Sequence, residues 1–362
     1  MKILKKEAVY LGAPLFLTRS PTKDFKFLLD KLITKLMGWR SKCLSWAGRS
    51  TLISSETQAI PIYSVSYFNI LAKICDKLDS TSRRFWWKPK ASVGKLIAWN
   101  SWDKLCRPIS LGGLRFKKAK DFNNVMLAKL AWMVASKRDS ICMAVVRAKF
   151  KVKHDWLYSD PPKSASPSWR AIEKVKQLIV KGACYIIGDG QSINVWSDPW
   201  VPQLQGFKPV RRNESQNQTP LTVSQLFDPT SHSWNSRLIL ELFDAASAQA
   251  IMSIPLPISP KSDKLIWTLD SKGLFSVKSA YRISVDQEPN PSQAKVPWKK
   301  LWKARLPERI KMLIWRIGNK SLPTNENFSC RLEYSDLNCT LCKNGWESCV
   351  HLFFECPIAR AL

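Results

Sequence analysis

The residues whose types and spacing favour a definite chemistry are three cysteines and a histidine near the end of this 362-residue chain. Cys339 and Cys342 form a C-x-x-C pair, and His351 and Cys356 follow as an H-x-x-x-x-C pair. Thiolates and imidazole are the ligands that Zn²⁺ takes in closed, tetrahedral structural sites. The chain has only three histidines, so a histidine at this spacing is informative. The pattern predicts one structural zinc ion bound by these four residues.

The second ligand pair leaves a question of geometry open. Residues five apart on an α-helix point about 140° away from each other, so His351 and Cys356 would not share a face of a continuous helix. Pro357 offers a solution, because the residue before a proline is pushed out of the helical region. Cys349 is a rival ligand, since it lies seven residues before Cys356 and would share its helical face. We favour His351; the alternative without metal is a small apolar cluster of reduced cysteines.

A strongly basic segment leads into the cysteines. Between Trp298 and Lys320 there are eight basic residues and one acidic residue, and the apolar residues recur at helical spacing. Trp302 is expected to pack in the core, because it shares a helical face with Trp298. Cations on the outer face of such helices can neutralise phosphates. The predicted phosphate contacts are Lys299, Lys300, Lys303, Arg305, Arg309 and Arg316.

A second group of cations lies at the end of a predicted helix over residues 63–87. Arg83 and Arg84 precede three aromatic residues in the run RRFWWKP. Such a cluster can bind phosphates through its cations while its rings stack on bases. The same rings can equally form the core face of the helix end, and the sequence leaves both interpretations open.

Composition points to a polyanionic partner. The net charge is +29, from 57 Lys and Arg against 28 Asp and Glu, and residues 1–160 carry 31 basic and 11 acidic residues, an excess of 20. We therefore expect RNA or single-stranded DNA as the partner. No apolar run approaches the roughly 18 residues that would span a bilayer, so no membrane partner is expected. Ten cysteines without a secretory signal suggest reduced thiols and an intracellular protein of the nucleus or cytoplasm.

Hydrophobic periodicity predicts a mainly α fold with small β-hairpins, in which a helical region is followed by a small zinc-binding module. Hairpins are expected at 183–196, around a Gly-Asp-Gly turn, and at 263–277. Proline-rich and polar stretches suggest domains at 1–160, 161–222, 223–297 and 275–362. The other predicted helices cover residues 23–37, 45–59, 121–132, 139–151, 168–181 and 280–285. Two more helical stripes are predicted, one from Trp298 to a stop at Pro307 and one over Ile310, Leu313, Ile314 and Ile317, and Thr324 is expected to cap another helix.

Several longer motifs resemble one known family. They are similar to the segment after the polymerase palm, and to the zinc-binding region beyond it, in the reverse transcriptase polyprotein of plant LINE-type (non-LTR) retrotransposons. The resemblance covers nearly the whole chain and implies a zinc-binding, nucleic-acid-associated protein. The motifs are YLGAPL (10–15), SWAGRSTLI (45–53), SWDKLCRPISLGGLRF (101–116), IGDGQSINVWSDPW (187–200), FSVKSAYR (275–282), ARLPERIKMLIWRI (304–317) and HLFFECP (351–357).

Catalytic residues are not apparent in the sequence. A polymerase needs paired carboxylates that hold two metal ions, and the chain contains no Asp-Asp pair. His154 and His232 have no patterned partner and are interpreted as plain surface histidines. We therefore expect a non-catalytic, zinc-binding and nucleic-acid-binding fragment of such a polyprotein. The alternative is a residual structural or interaction fragment with no selected activity.

Overall fold

The computed structural model describes residues 9–10, 13–14, 18, 20–40, 42–88, 96–161, 165–213, 221–228, 233–259, 261–285, 296–332 and 336–361. The chain divides into two compact units, and each is assembled from separate stretches of sequence. The first unit contains residues 1–64, 70–120 and 288–362, and the second contains residues 65–69 and 121–287. The predicted domain boundaries therefore stay predictions, and the linker expected at 287–297 lies mostly outside the described residues.

The described part of the first unit is mainly helical, with one short antiparallel strand pair, β1 (Val9–Tyr10) and β2 (Ala13–Pro14). Its helices are α1 (Pro21–Asp24), α2 (Lys26–Arg40), α3 (Trp46–Leu52), α5 (Ala72–Trp87), α6 (Trp102–Cys106), α14 (Trp298–Lys303), α15 (Glu308–Gly318), α16 (Asn325–Ser329) and α17 (Pro357–Ala361), and α4 (Ile62–Tyr67) begins in it. Residues Ile53–Thr57 continue α3 as one π-helical turn.

Local sequence explains how several of these helices begin and pack. Leu28, Leu32 and Leu36 recur every four residues on α2 and are almost fully buried, as a face that packs on α5 requires. Ser45 caps α3 by accepting a hydrogen bond from the Gly48 amide at 3.1 Å. The helices predicted at 23–37 and 45–59 are thereby confirmed, whereas the helix predicted over 63–87 is interrupted between α4 and α5.

A cluster of tryptophans forms the centre of the first unit. The Trp86 side chain is fully buried, and its ring meets those of Trp46, Phe116 and Trp315 at centroid distances of 5.0, 5.6 and 6.1 Å. These edge-on arrangements are the ones that aromatic quadrupoles favour. Trp315 belongs to α15, so the basic terminal segment shares one core with the N-terminal helices.

Hydrogen bonds also join α15 to the N-terminal part of the first unit. The Trp315 indole donates to the Gly112 carbonyl at 2.8 Å, and the Asn319 side-chain amide donates to the same oxygen at 3.2 Å. Gly112 has a φ of 77°, and a Cβ there would lie 2.9 Å from the Trp298 indole. Glycine is therefore required at this turn both for its backbone conformation and for the close approach of Trp298.

In its described residues, the second unit contains most of α7 (Ala119–Ala135), six further α-helices and a two-stranded sheet. The further helices are α8 (Ile141–Lys149), α9 (Pro167–Lys174), α10 (Lys176–Val180), α11 (Ser236–Leu242), α12 (Ala245–Met252) and α13 (Val277–Ser284). One buried cluster centres on Trp169 and Trp156, and a second on Trp200 and Phe243. Ser166, rather than the predicted Ser168, caps α9.

The two predicted hairpins are wrong. Strand β3 (Ala183–Ile186) pairs antiparallel with β4 (Lys264–Trp267), which joins one half of each predicted hairpin in a single sheet. The reason lies in Asp263, the residue before β4. Its carboxylate accepts hydrogen bonds from the Gly188, Gly190 and Ser192 amides at 2.7, 3.0 and 3.0 Å. The Gly-Asp-Gly loop thus binds the Asp263 carboxylate, and this contact brings β4 beside β3.

None of the helices in the described part of the chain combines the length and apolar character needed to cross a bilayer.

We predict that Trp315→Ala destabilises the first unit by about 3–5 kcal/mol, because it removes a buried aromatic and leaves a cavity against Trp86. Denaturant unfolding followed by far-UV circular dichroism measures the effect. Leu313→Ala is the matched control on the same helix. Leu313 is 39% exposed, and its loss is expected to change stability by only about 0.5 kcal/mol. Equal effects of the two substitutions would contradict the shared tryptophan core.

Candidate metal centre

The C-x-x-C pair lies on a tight turn that backbone hydrogen bonds close. The Cys339 amide donates to the Gly345 carbonyl, and the Lys343 amide donates to the Cys339 carbonyl, both at 2.9 Å. Lys343 and Gly345 have φ values of 61° and 80°, which let the chain reverse within a few residues. Asn338 and Trp346 then form an antiparallel bridge at the base of the turn. The turn directs both cysteine sulfurs to one side.

The second pair is brought onto one face by a change of helix type. Residues His351–Glu355 form a π-helical turn, and the Cys356 amide donates to the His351 carbonyl at 2.7 Å. This hydrogen bond between residues five apart places them on the same side, where an α-helix would separate them. Cys356 itself has φ −64° and ψ 120°, the extended conformation expected before Pro357. The role predicted for Pro357 is therefore confirmed, and the π turn is the feature that the sequence did not indicate.

Together the two pairs form a site that fits zinc. The ligand atoms of Cys339, Cys342, His351 and Cys356 all lie within 4.8 Å of one another. The Cys339 and Cys356 sulfurs are 4.0 Å apart, and Cys342 Sγ lies 3.3 Å from His351 Nε2. Tetrahedral zinc with bonds of about 2.0–2.3 Å requires its N and S ligands to lie about 3.5–3.8 Å apart. The donor set and spacing thus make this a structural zinc site.

Backbone amides favour the thiolate form of Cys339 and Cys356, whereas burial raises the pKa of the third cysteine of the cluster, Cys342. Cys339 and Cys356 are fully buried. Burial raises the pKa of the Cys339 thiol, but hydrogen bonds from the Cys342 and Leu341 amides outweigh it, and the net pKa is lowered. The pKa of Cys356 is lowered chiefly by the Ala359 amide in the first turn of α17. These N–H donors stabilise the thiolate, the form that binds zinc.

The rival ligand Cys349 does not belong to this cluster. It is buried, and its pKa is raised by burial and by the charge of Glu326, against the opposite effects of Lys320 and Arg316. Burial also raises the pKa of Cys342, which belongs to the cluster, so the position of Cys349 decides against it and its pKa does not. Among the described residues, the geometry therefore favours His351 over Cys349.

A carboxylate that the sequence analysis did not single out holds the zinc turn to α16. Glu347 is 6% exposed, and its carboxylate accepts from the Thr340 amide and hydroxyl, both at 2.9 Å, and from the Asn325 amide at 3.3 Å. Thr324 caps the same helix, as predicted, by accepting from the Asn327 amide. A single glutamate in a polar loop belongs to no recognisable sequence motif, so the connection that Glu347 makes to α16 is visible only in the structure.

The helix that Glu347 caps is fixed in turn to the N-terminal part of the first unit. The Arg331 guanidinium donates to the carbonyls of Ala98 and, at 2.6 Å, of Trp99. The Phe328 ring meets Trp99 edge-on at 5.2 Å. The turn that carries the zinc ligands, the Glu347 carboxylate, α16 and the residues around Trp99 are thus connected by one continuous set of contacts.

Five of the predicted phosphate contacts are exposed, and the sixth differs. Arg316 is half-buried, with its guanidinium 4.3 Å from the centre of the Trp46 ring, and Arg49 lies 4.2 Å from the same ring. Burial, together with the charge of Arg49, lowers the pKa of Arg316 to about 10. We therefore assign Arg316 to packing. The exposed residues are Lys299, Lys300, Lys303, Arg305 and Arg309.

The aromatic residues of the second basic cluster belong to the core. Phe85 and Trp86 are fully buried and Trp87 is 9% exposed, so of the two interpretations left open by the sequence, stacking on bases does not fit. Arg83 and Arg84 are only partly exposed. On α15 the buried side chains are Met312 and Trp315. Of the expected stripe, Ile310, Leu313 and Ile314 stay more than a third exposed, and Ile317 is partly buried. Trp302 is half-buried rather than in the core.

We predict one equivalent of zinc per chain in purified full-length protein, measured by elemental analysis. Cys339→Ser is expected to lose the metal, because a three-ligand site with one buried position empty binds zinc poorly. Cys349→Ser is the matched control, a buried cysteine outside the cluster, and is expected to retain it. Loss of zinc in Cys349→Ser with retention in His351→Ala would reverse the ligand assignment.

Comparison with known proteins agrees with the metal centre. Residues 275–362 match a family of domains described as zinc-binding in reverse transcriptase. A putative ribonuclease H protein of Arabidopsis thaliana is 30% identical over 354 residues, which make up 95% of this chain and 56% of that protein. An uncharacterized mitochondrial protein of the same plant is 30% identical over 153 residues, or 42% of this chain and 99% of that protein.

This chain thus spans little more than half the length of the first relative and covers nearly all of the second. It carries the zinc ligands within the part that matches the zinc-binding domain. The chain therefore belongs to the family of reverse-transcriptase-related retrotransposon proteins that includes these two relatives.

Proposed function

We propose that this chain is the nucleic-acid-binding, non-catalytic part of a LINE-type retrotransposon polyprotein, and that it acts in the nucleus or cytoplasm. The observation that carries the proposal is the set of unpaired cations on α14, α15 and their connection. Glu308 is the one acidic residue between Trp298 and Lys320, and it pairs with Lys311 at 2.7 Å. The five exposed cations have no such partner in the described part of the chain. Their charge is left for a polyanion.

Exposed aromatic rings near the zinc favour a single-stranded partner. Trp346 and Phe354 are each 68% exposed, although large aromatic side chains are usually buried. Trp346 is held by its bridge to Asn338, and Phe354 lies on the π turn that begins with the ligand His351. Rings that are open to solvent on an ordered backbone can stack on unpaired bases, at about 1–3 kcal/mol per base. RNA or single-stranded DNA is therefore the proposed partner.

We also propose that this chain has no catalytic centre of its own. Among the described residues, the zinc cluster is the one convergent group of three or more histidine, cysteine or carboxylate side chains. Polymerase and ribonuclease H reactions need carboxylates that hold two divalent ions. The ribonuclease H named for the first relative would accordingly depend on other parts of such a polyprotein.

We predict that the full-length protein binds a single-stranded RNA oligonucleotide with an affinity that falls steeply with salt. Each phosphate contact on a single strand contributes about 0.7 to the slope of log K against log salt. Lys299→Ala combined with Lys300→Ala is expected to lower the slope by about 1.4, without a loss of zinc. Lys272→Ala with Lys278→Ala, which removes equal charge from exposed positions of the second unit, is the control.

Filter binding between 50 and 300 mM salt, roughly the range over which counterion release is resolved, measures both slopes. Binding that is indifferent to salt would replace this proposal with that of an inert structural fragment. Equal slopes for the two double variants would show that α14 is not part of the binding surface.

We further predict no primer extension and no cleavage of an RNA–DNA hybrid when the purified chain is supplied with magnesium, because paired carboxylates are lacking. A Cys339→Ser preparation purified in parallel controls for contaminating enzymes. Activity above that control would show that the chain has a catalytic centre.

A further inference from the structure

His154, interpreted from the sequence as a plain surface histidine, has two partners in the second unit. Its Nε2 lies 3.3 Å from the Tyr185 hydroxyl, and its Nδ1 lies 3.7 Å from Asp198 Oδ2. The His154 and Tyr185 rings are stacked, with centroids 5.6 Å apart and planes at 17°. About a third of the His154 side chain stays exposed. Tyr185 and Asp198 thus orient the His154 ring, and the part of the ring that faces away from them is open to solvent.

The residues behind His154 are fixed within the fold. The Asp198 side chain is 2% exposed and accepts a hydrogen bond from the Asn194 amide at 2.8 Å. Tyr185 lies on β3, and its amide donates to the Pro199 carbonyl at 2.7 Å. Burial raises the pKa of the Tyr185 hydroxyl, which therefore keeps its proton and can donate it in a hydrogen bond.

His154 and Tyr185 both line a cavity of about 160 Å³. Three cationic residues line it, Lys137, Arg147 and Lys153, and no Asp or Glu does. None of the three forms an ion pair within the described ranges of the chain. Arg147 Nη1 donates to the Arg138 carbonyl at 3.2 Å, which leaves the rest of its guanidinium free to act as a donor. The lining of the cavity therefore carries positive charge from three residues and negative charge from none.

We propose that this cavity of the second unit binds a phosphate group, held by Lys137, Arg147 and Lys153 and oriented by His154 and Tyr185. Uncompensated cations that share a cavity are stabilised by an anion, and a guanidinium beside ammonium groups suits the oxygens of a phosphate.

None of the residues that line the cavity supplies an anion. The Gly-Asp-Gly loop of the same unit shows the contrast, since its inward amides are already satisfied by the Asp263 carboxylate. The cationic cavity has no such internal anion, so the anion is expected to come from solution.

Isothermal titration of full-length, zinc-loaded protein with inorganic phosphate tests the site directly. We expect saturable binding that weakens about tenfold in Lys153→Gln and further in Arg147→Gln with Lys153→Gln, because charge-assisted hydrogen bonds are lost. Lys129→Gln removes the same charge from an exposed position of α7 that does not line the cavity, and should leave the affinity unchanged. Thermal melting of each variant confirms that the fold survives.

A second titration identifies the source of the phosphate. Short single-stranded oligonucleotides with a 5′-phosphate or a 5′-hydroxyl are compared in the same variants. Preference for the 5′-phosphate would assign the cavity to a nucleic-acid end, and equal binding of both, lost in the double variant, would assign it to an internal phosphodiester. Absence of saturable phosphate binding, or identical binding by wild type and the folded double variant, would overturn the proposal.

Discussion

The hydrogen bond from the Trp315 indole to the Gly112 carbonyl is the interaction on which the rest of the first unit depends. It joins residues that are 203 positions apart, and around it the rings of Trp86 and Trp46 form a core that neither end of the chain contains alone. Loop-closure entropy makes such distant contacts costly to form, so several must form together. The terminal segment is therefore best regarded as one part of a larger folded unit, and its cations are presented by a helix whose buried face is contributed from elsewhere.

Zinc stabilises a second part of the same unit, the turn around Cys339 and Cys342. The turn around Cys339 and Cys342 leaves Leu341 and Trp346 largely exposed, so hydrophobic burial contributes little to its stability. Metal coordination supplies folding free energy in such a module, and Glu347 transmits the order to α16 through its hydrogen bonds to Asn325 and Thr340. Arg331 then fixes that helix to the carbonyls of Ala98 and Trp99. These contacts explain how a structural metal site can order α16, the helix that follows the basic segment, and fix it to the N-terminal part of the first unit.

The sequence predicted what depends on local spacing. The ligand pairs, the cap at Thr324 and the helical stripe of α2 follow from residues a few positions apart, and the structure agrees with each. The hairpins failed because strand pairing is decided by a distant partner, here Asp263, which no local pattern reveals. The orientation of α15 was not predictable either, since its buried face is selected by the tryptophan core and leaves Leu313 and Ile314 exposed. The π turn at His351 is a local feature, but its only signal was the mismatch between a five-residue spacing and an α-helix.

If zinc holds residues 337–356 and α16 in place on the first unit, its removal must release them, and hydrogen exchange of the protein before and after treatment with a chelator measures that release. Amides of 337–347 and 351–356 are expected to lose protection on chelation, followed by those of α16, while the buried helices of the second unit keep theirs. Retention of full protection across 337–356 in metal-free protein would contradict this role of zinc, because the turn would then be stable without the ion.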